Sequence, residues 1–428
     1  MSIDEDRLRA KVQWRLGLPA IAFMLLSALD RVNISFAALH MNSELGLTPG
    51  QYGFGAGIVF VGFLAGQYPS VLLLQRIGMR RWIGSCALCW GVCSAGTAFV
   101  RTPLQFDVLR VIVGFAESGL APGIVLYLSQ FTTRRERAST FAVPMLAIPL
   151  AIVIGSPLSG WLLHIAVHSA FGAWRWMLMI EALPALLLGM IAWFYFPDRP
   201  EDARWLTQGE RRWLTENALL ASRTRPHNDW SVLRTPQVWG AALLWFGLLA
   251  GAYGIMFWLP QIVQQLTKSG ALEIGFVNAL PWAGVMAGIY YNARHSDKTG
   301  ERHWHVALPA FLAGVSLLVA WSAGAGALGL LGLLAVGLGL GAAQGAFWAV
   351  PAALLSPARL AVAVVAINIF GSSGGLVMPH LIGILREDNG NFVAPTMMMS
   401  VILVLSGLLA LLLKRGDRPA HPGDMESR

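Results

Sequence analysis

Apolar residues run through this chain in long blocks, each closed by a short polar stretch. A helix of about 20 apolar residues, rising about 1.5 Å at each, crosses the hydrocarbon core of a bilayer. Twelve runs are long enough and are predicted to be membrane-spanning helices: 15–39, 51–74, 82–100, 104–131, 139–166, 174–197, 237–263, 271–292, 303–323, 327–355, 360–385 and 393–413. The longest polar stretch, 198–236, follows the sixth run. It divides the chain into an N-terminal six-helix half (1–197), a linker (198–236) and a C-terminal six-helix half with a polar tail (237–428). Within the linker, Thr207 and Glu210 have capping-box spacing ahead of a predicted amphipathic helix, which is expected to show Trp213, Leu214 and Leu220 to the membrane surface.

The expectation is an all-α polytopic membrane protein, and composition agrees. Hydrophobic residues make up 56% of the 428, charged ones only 13%, and the mean hydropathy is +0.58. Soluble proteins carry about a quarter charged residues. A net charge of +8 raises the question of a nucleic-acid partner, and the positions of the charges exclude it. Arg101, Arg175, Lys268 and Arg386 fall on one side, and Arg31 and Arg110 lie inside spans. Every other Lys and Arg falls in the N-terminal segment, the even-numbered loops or the tail. The positive-inside rule then puts both termini in the cytoplasm. The apolar run after the charged N-terminal segment is too long for the core of a signal peptide. Cys86, Cys89 and Cys93 share one span, and are read as small packing residues rather than a metal or redox pair.

Candidate chemistry centres on span 4, where Arg110 and Glu117 sit seven residues apart and so on one helix face, about 10 Å apart along the axis. Span 1 carries the adjacent pair Asp30 and Arg31 at similar depth. Charges inside a bilayer are costly unless paired or facing water, which makes the four a functional-site hypothesis. The alternative is a pair of structural ion pairs joining spans 1 and 4. In the functional reading, the planar forks of Arg31 and Arg110 bind an anion, while Asp30 and Glu117 exchange protons. Glu181, near Arg175 in span 6, is expected to form a local structural pair with it. The second half has no charged residue in the body of a span; it offers Asn278, Gln344, Trp348, Asn368 and His380 instead.

Each half also has a charged loop between its second and third spans. ARHSDKTGER contains Asp297, Lys298, Gly300 and Arg302, and QRIGMRRW contains Arg76, Gly78 and Arg80 with Gln75 where an acid would match. Two six-helix halves with such loops in matching places resemble the major facilitator superfamily. That resemblance implies two pseudo-symmetric halves, with the loops acting as conformational latches. SALDRVNISFAA, VLRVIVGFAESGLAPGIVLYLSQFTTRRERA, PLSGWLL, WRWMLMIEALPALLLG, FWLPQIV and INIFGSSGGLVMPHLIG narrow it further. They are similar to the anion:cation symporter family, which includes bacterial tartrate, phthalate and sugar-acid permeases. The resemblance implies proton coupling through Asp30 and Glu117. It implies substrate response through Arg31 and Arg110, and a cavity position for Trp348 and Asn368, with Gln344 and Phe63 as further candidates. It also implies a monomer.

The leading function is thus a proton-coupled symporter importing a small organic anion across a bacterial inner membrane by alternating access. H⁺ is the coupling ion, and no cofactor and no nucleic acid are expected. The alternative is a proton-driven drug or metabolite exporter of the same superfamily, although two buried arginines and a Gly155–Pro157 motif split by Ser156 fit it less well. No nucleotide loop or nucleophile–base pair suggests an enzyme. Relatives carrying sugar acids tend to have a tyrosine two residues before the Asp–Arg pair, another on span 2 and a glutamine on span 5. Here stand Ala28, Phe63 and the run Ala147, Ile148 and Pro149. The missing polar partners favour a carboxylate with few hydroxyls over a sugar acid.

Overall fold

The computed structural model describes residues 4–132, 137–222, 229–324 and 326–415, and among these every regular element is a helix. The chain divides into two compact units, Met1–Arg225 with Ser269–Phe276, and Pro226–Lys268 with Val277–Arg428. Eleven helical stretches of described residues are long and apolar enough to cross a membrane. The remaining predicted span is a helix of 19 residues, Met79–Thr97, whose apolar content is diluted by Arg80 and Arg81 at its start.

In the first unit, α1 (Glu5–Val12) continues through one π turn into α2 (Leu18–Leu45). There follow α3 (Pro49–Gly57), α4 (Val59–Ile77), α5 (Met79–Thr97), α6 (Pro103–Glu117), α7 (Leu120–Ser129), α8 (Arg137–Ile165), α9 (Ala173–Tyr195) and α10 (Gln208–Ser222). The second unit holds α11 (Pro236–Thr267), most of α12 (Ala271–Thr299), α13 (Trp304–Ala323), α14 (Ala327–Phe347), α15 (Ala349–Leu354), α16 (Pro357–Asn389) and α17 (Val393–Arg415). The basic loop at 133–136 and the tail beyond 415 lie outside the described residues.

Three runs expected as single helices are each two. The second span breaks between α3 and α4 in a glycine-rich stretch. The fourth breaks at Ser118–Gly119, directly after Glu117, and the tenth breaks at Trp348. Proline has no N–H to offer the carbonyl four residues back. Pro122 therefore cannot bond the Ser118 carbonyl, nor Pro351 the Phe347 carbonyl. The fourth span of each half thus breaks for the same reason.

Packing repeats between the halves as well. In the first unit α2 packs on α8, α4 on α6, and α5 on α9; in the second, α11 packs on α16 and α13 on α17. The α4–α6 contact is a backbone approach. A Cβ built on Gly62 would lie 1.9 Å from the Val111 carbonyl oxygen, and one on Gly114 would lie 1.9 Å from that of Val59. The matching contact, α12 on α14, is made the same way, with Gly337 against the Pro281 carbonyl and Gly341 against that of Val285. Without a hydrophobic drive between helices in lipid, such close packing of small residues does the joining.

The linker helix α10 starts with the expected capping box. Thr207 N–H donates to Glu210 at 2.7 Å, and Glu210 N–H donates to the Thr207 hydroxyl at 3.3 Å. Part of its apolar face packs against protein. Leu214 is buried, and with Trp213 it lines a small cavity with Leu8, Val12 and Phe131. Lys11 Nζ donates to Glu210 at 2.7 Å, tying α1 to α10. The apolar Leu8 and Val12 of α1 thus meet Leu214 of α10. The side chain of Leu220 lies outside the described residues.

Candidate functional site

The four charges read from spans 1 and 4 come together inside the first unit. α2 is a long helix whose N-terminal end is apolar, and it carries Asp30 and Arg31 into the bundle. α6 is capped by Thr102, whose hydroxyl accepts from Gln105 N–H at 3.3 Å, and runs antiparallel to bring Arg110 and Glu117 to the same level. Asp30, Arg110 and Glu117 are all at most 4% exposed.

Arg31 reaches Glu117: its Nε and Nη2 both lie 2.8 Å from Glu117 Oε2. Nη2 also donates to the Ser27 hydroxyl at 3.4 Å, and the guanidinium carbon stands 5.6 Å from the centre of the Phe63 ring. Asp30 is held differently. Its Oδ1 accepts from the Ser94 hydroxyl of α5 and, at 3.5 Å, from Asn33 Nδ2. Arg110 lies within electrostatic reach of Asp30, Glu117, Arg31 and Tyr52. Among the described residues, its Nε and Nη2 have no hydrogen-bond partner, and neither do Asp30 Oδ2 and Glu117 Oε1. One ion pair is therefore closed, while the second arginine keeps part of its fork open.

Several polar residues that complete this cluster were not singled out in the sequence. Ser27 and Asn33 share α2 with Asp30 and Arg31, while Tyr52 and Ser94 come from α3 and α5. Spacing could have found Ser27 and Asn33, four before Arg31 and three after Asp30; Ser94 and Tyr52 are brought in only by packing. The expected Glu181–Arg175 pair is overturned. Arg175 pairs with Glu44, which also accepts from Trp174 Nε1 at 2.6 Å. Glu181 is buried and accepts from the Ser159 hydroxyl at 2.7 Å. Arg175 lies near the start of α9, beside the end of α2, whereas Glu181 points into the bundle.

The other candidates lie in the second unit. Trp348 stands edge-on to Trp245, with ring centres 5.2 Å apart, and Trp245 stacks on Phe347 at 4.6 Å. Gln344, one turn before Trp348, is half-buried; Asn368 is exposed, one turn before Gly371, whose backbone meets the Trp245 ring. Trp245, an unremarked aromatic in span 7, is the centre of this cluster.

The two loops are built on glycines with positive φ, +83° at Gly78 and +70° at Gly300. In the first, the acid missing at Gln75 is supplied from the end of α9: Asp198 Oδ1 accepts from Arg80 N–H at 2.9 Å, and Oδ2 lies 3.9 Å from Arg80 Nε. Arg76 is exposed. In the second, Arg302 donates to Asp297 at 2.7 Å and to Ser296 at 3.0 Å, while Lys298 is exposed. Glu301 beside them accepts from Trp304 N–H and lies 3.3 Å from Lys414. Burial opposes its charge, but these donors and His305 outweigh it and hold the carboxyl below its ordinary range. Of the cysteines, Cys86 is buried, Cys93 half-buried and Cys89 exposed.

The family profile described as Major Facilitator Superfamily matches residues 20–379. A protein of Agrobacterium vitis named "Putative tartrate transporter" is 40% identical over 419 residues, covering 97% of this chain and 93% of its own. The "Inner membrane transport protein RhmT" of Escherichia coli is 34% identical, covering 88% of each. A "Quinolone resistance transporter" of Acinetobacter baumannii is 30% identical, covering 96% of this chain and 95% of its own. Among solved structures, a bacterial homolog of the human lysosomal transporter Spinster superposes with a TM-score of 0.80 at 16% identity, covering 96% of this chain and 99% of that one. A D-xylose–proton symporter superposes with a TM-score of 0.73 at 15% identity, covering 93% and 97%.

Proposed function

The chain belongs to the Major Facilitator Superfamily and is a multi-pass membrane transporter, and from that premise we propose that it imports a small organic carboxylate together with protons. The observation that carries this reading is Arg110. It is 2% exposed, and two nitrogens of its guanidinium lack a hydrogen-bond partner among the described residues. A buried permanent cation left partly unsatisfied costs several kilocalories per mole. A carboxylate matches the planar fork and relieves that cost.

The acids supply the coupling. With both ionised, the two acids and two arginines sum to zero, and the site has no net charge to attract an anion. Protonating one acid leaves one positive charge, and protonating both leaves two. Each carboxyl has an oxygen without a partner where the proton can sit: Oδ2 of Asp30 and Oε1 of Glu117. Protonated Glu117 also weakens its hold on Arg31, freeing a second fork. Proton uptake and anion uptake thus favour each other, which is symport. The loops of the two halves act as latches during alternating access, with Asp198 serving the first. In this reading the chain lies in a bacterial inner membrane, and the charge pattern supports cytoplasmic termini.

The name of the A. vitis relative supports a short carboxylate, as do Phe63 beside Arg31 and the apolar Ala28 and Ala147. The A. baumannii relative's name favours drug export as the second reading. Proteoliposomes decide between them. An inward proton gradient should drive accumulation of radiolabelled tartrate, with phthalate and benzoate competing better than gluconate. Proton-driven extrusion of a quinolone with no carboxylate uptake would replace the proposal with the second reading.

A further inference from the structure

Glu181 is a carboxyl in the body of a membrane helix, 6% exposed, and the described residues give it no lysine or arginine. Ser159 of α8 donates to its Oε1, and Oε2 has no partner. The remaining contact is Asn33. Its amide nitrogen donates to Asp30 Oδ1 at 3.5 Å, and its side chain lies beside the Glu181 carboxyl. One amide group therefore stands between two carboxyls, on α2 and α9.

The surroundings of Glu181 are polar but uncharged apart from Asp30. Gly91 of α5 packs against Leu186, and Gly84 against Gly189. This antiparallel register sets Glu181 beside the Ser94–Thr97 turn of α5, where Ser94 holds Asp30. From α8 comes Ser159; from α2 come Asp30 and Asn33. The site's cations, Arg31 and Arg110, face Asp30 and Glu117 instead. An ionised Glu181 here would have no cation to balance it and a second carboxylate next to it. Two such acids cannot both ionise cheaply, and the charge state of one biases the other.

We propose that Glu181 is a third proton-holding carboxyl of the transport cycle, linked to Asp30 through Asn33, which holds a proton when Asp30 is ionised and releases it when Asp30 is neutral. This rests on the symport reading above. Under the charge-derived orientation Glu181 lies outward of Asp30, so protons arriving from outside reach it first. Each step is a proton transfer: an O–H bond at one carboxyl breaks as one forms at the other or at water, and nothing is oxidised or reduced. A permanently neutral structural acid makes the opposite forecast, because glutamine would replace it at no cost.

The full-length protein in proteoliposomes tests this with two readouts. In the first, the pH-difference infrared spectrum is recorded without any substrate. Glu181→Gln should remove one titrating carboxyl and move the titration of a second by about one pH unit, tenfold in proton affinity. In the second, tartrate counterflow should persist in Glu181→Gln while gradient-driven tartrate uptake falls by about tenfold, and Glu181→Asp should recover part of it. Infrared spectra and pH profiles identical to the wild type in Glu181→Gln overturn the proposal. Should that variant not fold, Ser159→Ala removes the donor to the carboxyl and must shift the same titration; an unchanged titration overturns the proposal too. A wild-type protein that shows no proton-dependent tartrate uptake defeats the symport reading instead, and the substrate-free spectrum still decides whether Glu181 titrates with Asp30.

Discussion

At the scale of single residues, the site divides its labour between permanent and switchable charges. Arginine cannot give up its proton at any accessible pH, so the cost of burying Arg110 persists through the cycle and is relieved only by a ligand or a moving acid. Replacing Arg110 by lysine keeps the charge and loses the fork. Both Arg110→Lys and Arg110→Ala are expected to weaken the apparent affinity for tartrate by about 1.5–3 kcal/mol, the worth of a charge-assisted hydrogen bond. Concentration-dependent counterflow measures it, and a lysine variant with wild-type affinity would reduce the arginine to a bare charge. Glu117→Gln copies the protonated acid and releases Arg31 from its 2.8 Å pair. It should abolish gradient-driven accumulation and leave exchange. Equal loss of both, read side by side, would mean that the Arg31–Glu117 pair only holds α2 to α6.

Among the elements, the joint between α4 and α6 is the tightest in the first half. A methyl group at Gly62 or Gly114 would collide with backbone carbonyls, which cannot swing aside as a side chain can. Gly62→Ala is therefore expected to destabilise the protein by about 1–3 kcal/mol, as overpacking does. Gly209 in α10 has nothing within 4 Å of a built Cβ, and Gly209→Ala should be neutral or slightly stabilising. Thermal unfolding of both variants in one detergent makes the comparison, and equal midpoints would mean that the helices part without cost. The break after Glu117 belongs to this scale too. Pro122 frees the Ser118 carbonyl and ends α6 at the charged residue, so Glu117 sits on a helix end rather than in a continuous rod.

For the whole molecule, the symport proposal carries an expected stoichiometry, set by charge balance. Two protons on Asp30 and Glu117, before any release from Glu181, leave two positive charges for a dicarboxylate. Entry of a dianion with two protons is then electroneutral. Tartrate uptake should follow the pH gradient and ignore a membrane potential imposed with potassium and valinomycin. Faster uptake with a negative interior would require a further proton, and Glu181→Gln would show whether it comes from the linked carboxyl. The charged loop of the second half adds a pH dependence of its own. The folded chain holds Glu301 below its ordinary range, so its contribution is present above the unfolded carboxyl's pKa and is lost as pH falls through the lower folded one. Glu301→Gln should remove that part of the acid sensitivity from unfolding curves.

The chain of residues by itself determined the class of protein. Long apolar runs can be buried only in lipid or in each other, and their lengths match a bilayer; the lysines and arginines between them set the orientation expected. It also supplied the four charges, because a formal charge in an apolar run stands out without any partner being known. Tertiary packing decided how they are shared. Arg31 is adjacent to Asp30 in the chain yet pairs with Glu117, since neighbours on a helix point in different directions and α6 brings Glu117 to the arginine. Arg175 is six residues from Glu181 and pairs with Glu44 on α2. Asp198 replaces the acid absent at Gln75 from the far end of the same half. Leu214 of the linker helix is buried beside Leu8 and Val12 of α1. Asn33, Ser94 and Ser159 carry no charge to betray them in a sequence, and their roles exist only because three helices place their hydrogen bonds on buried carboxyls.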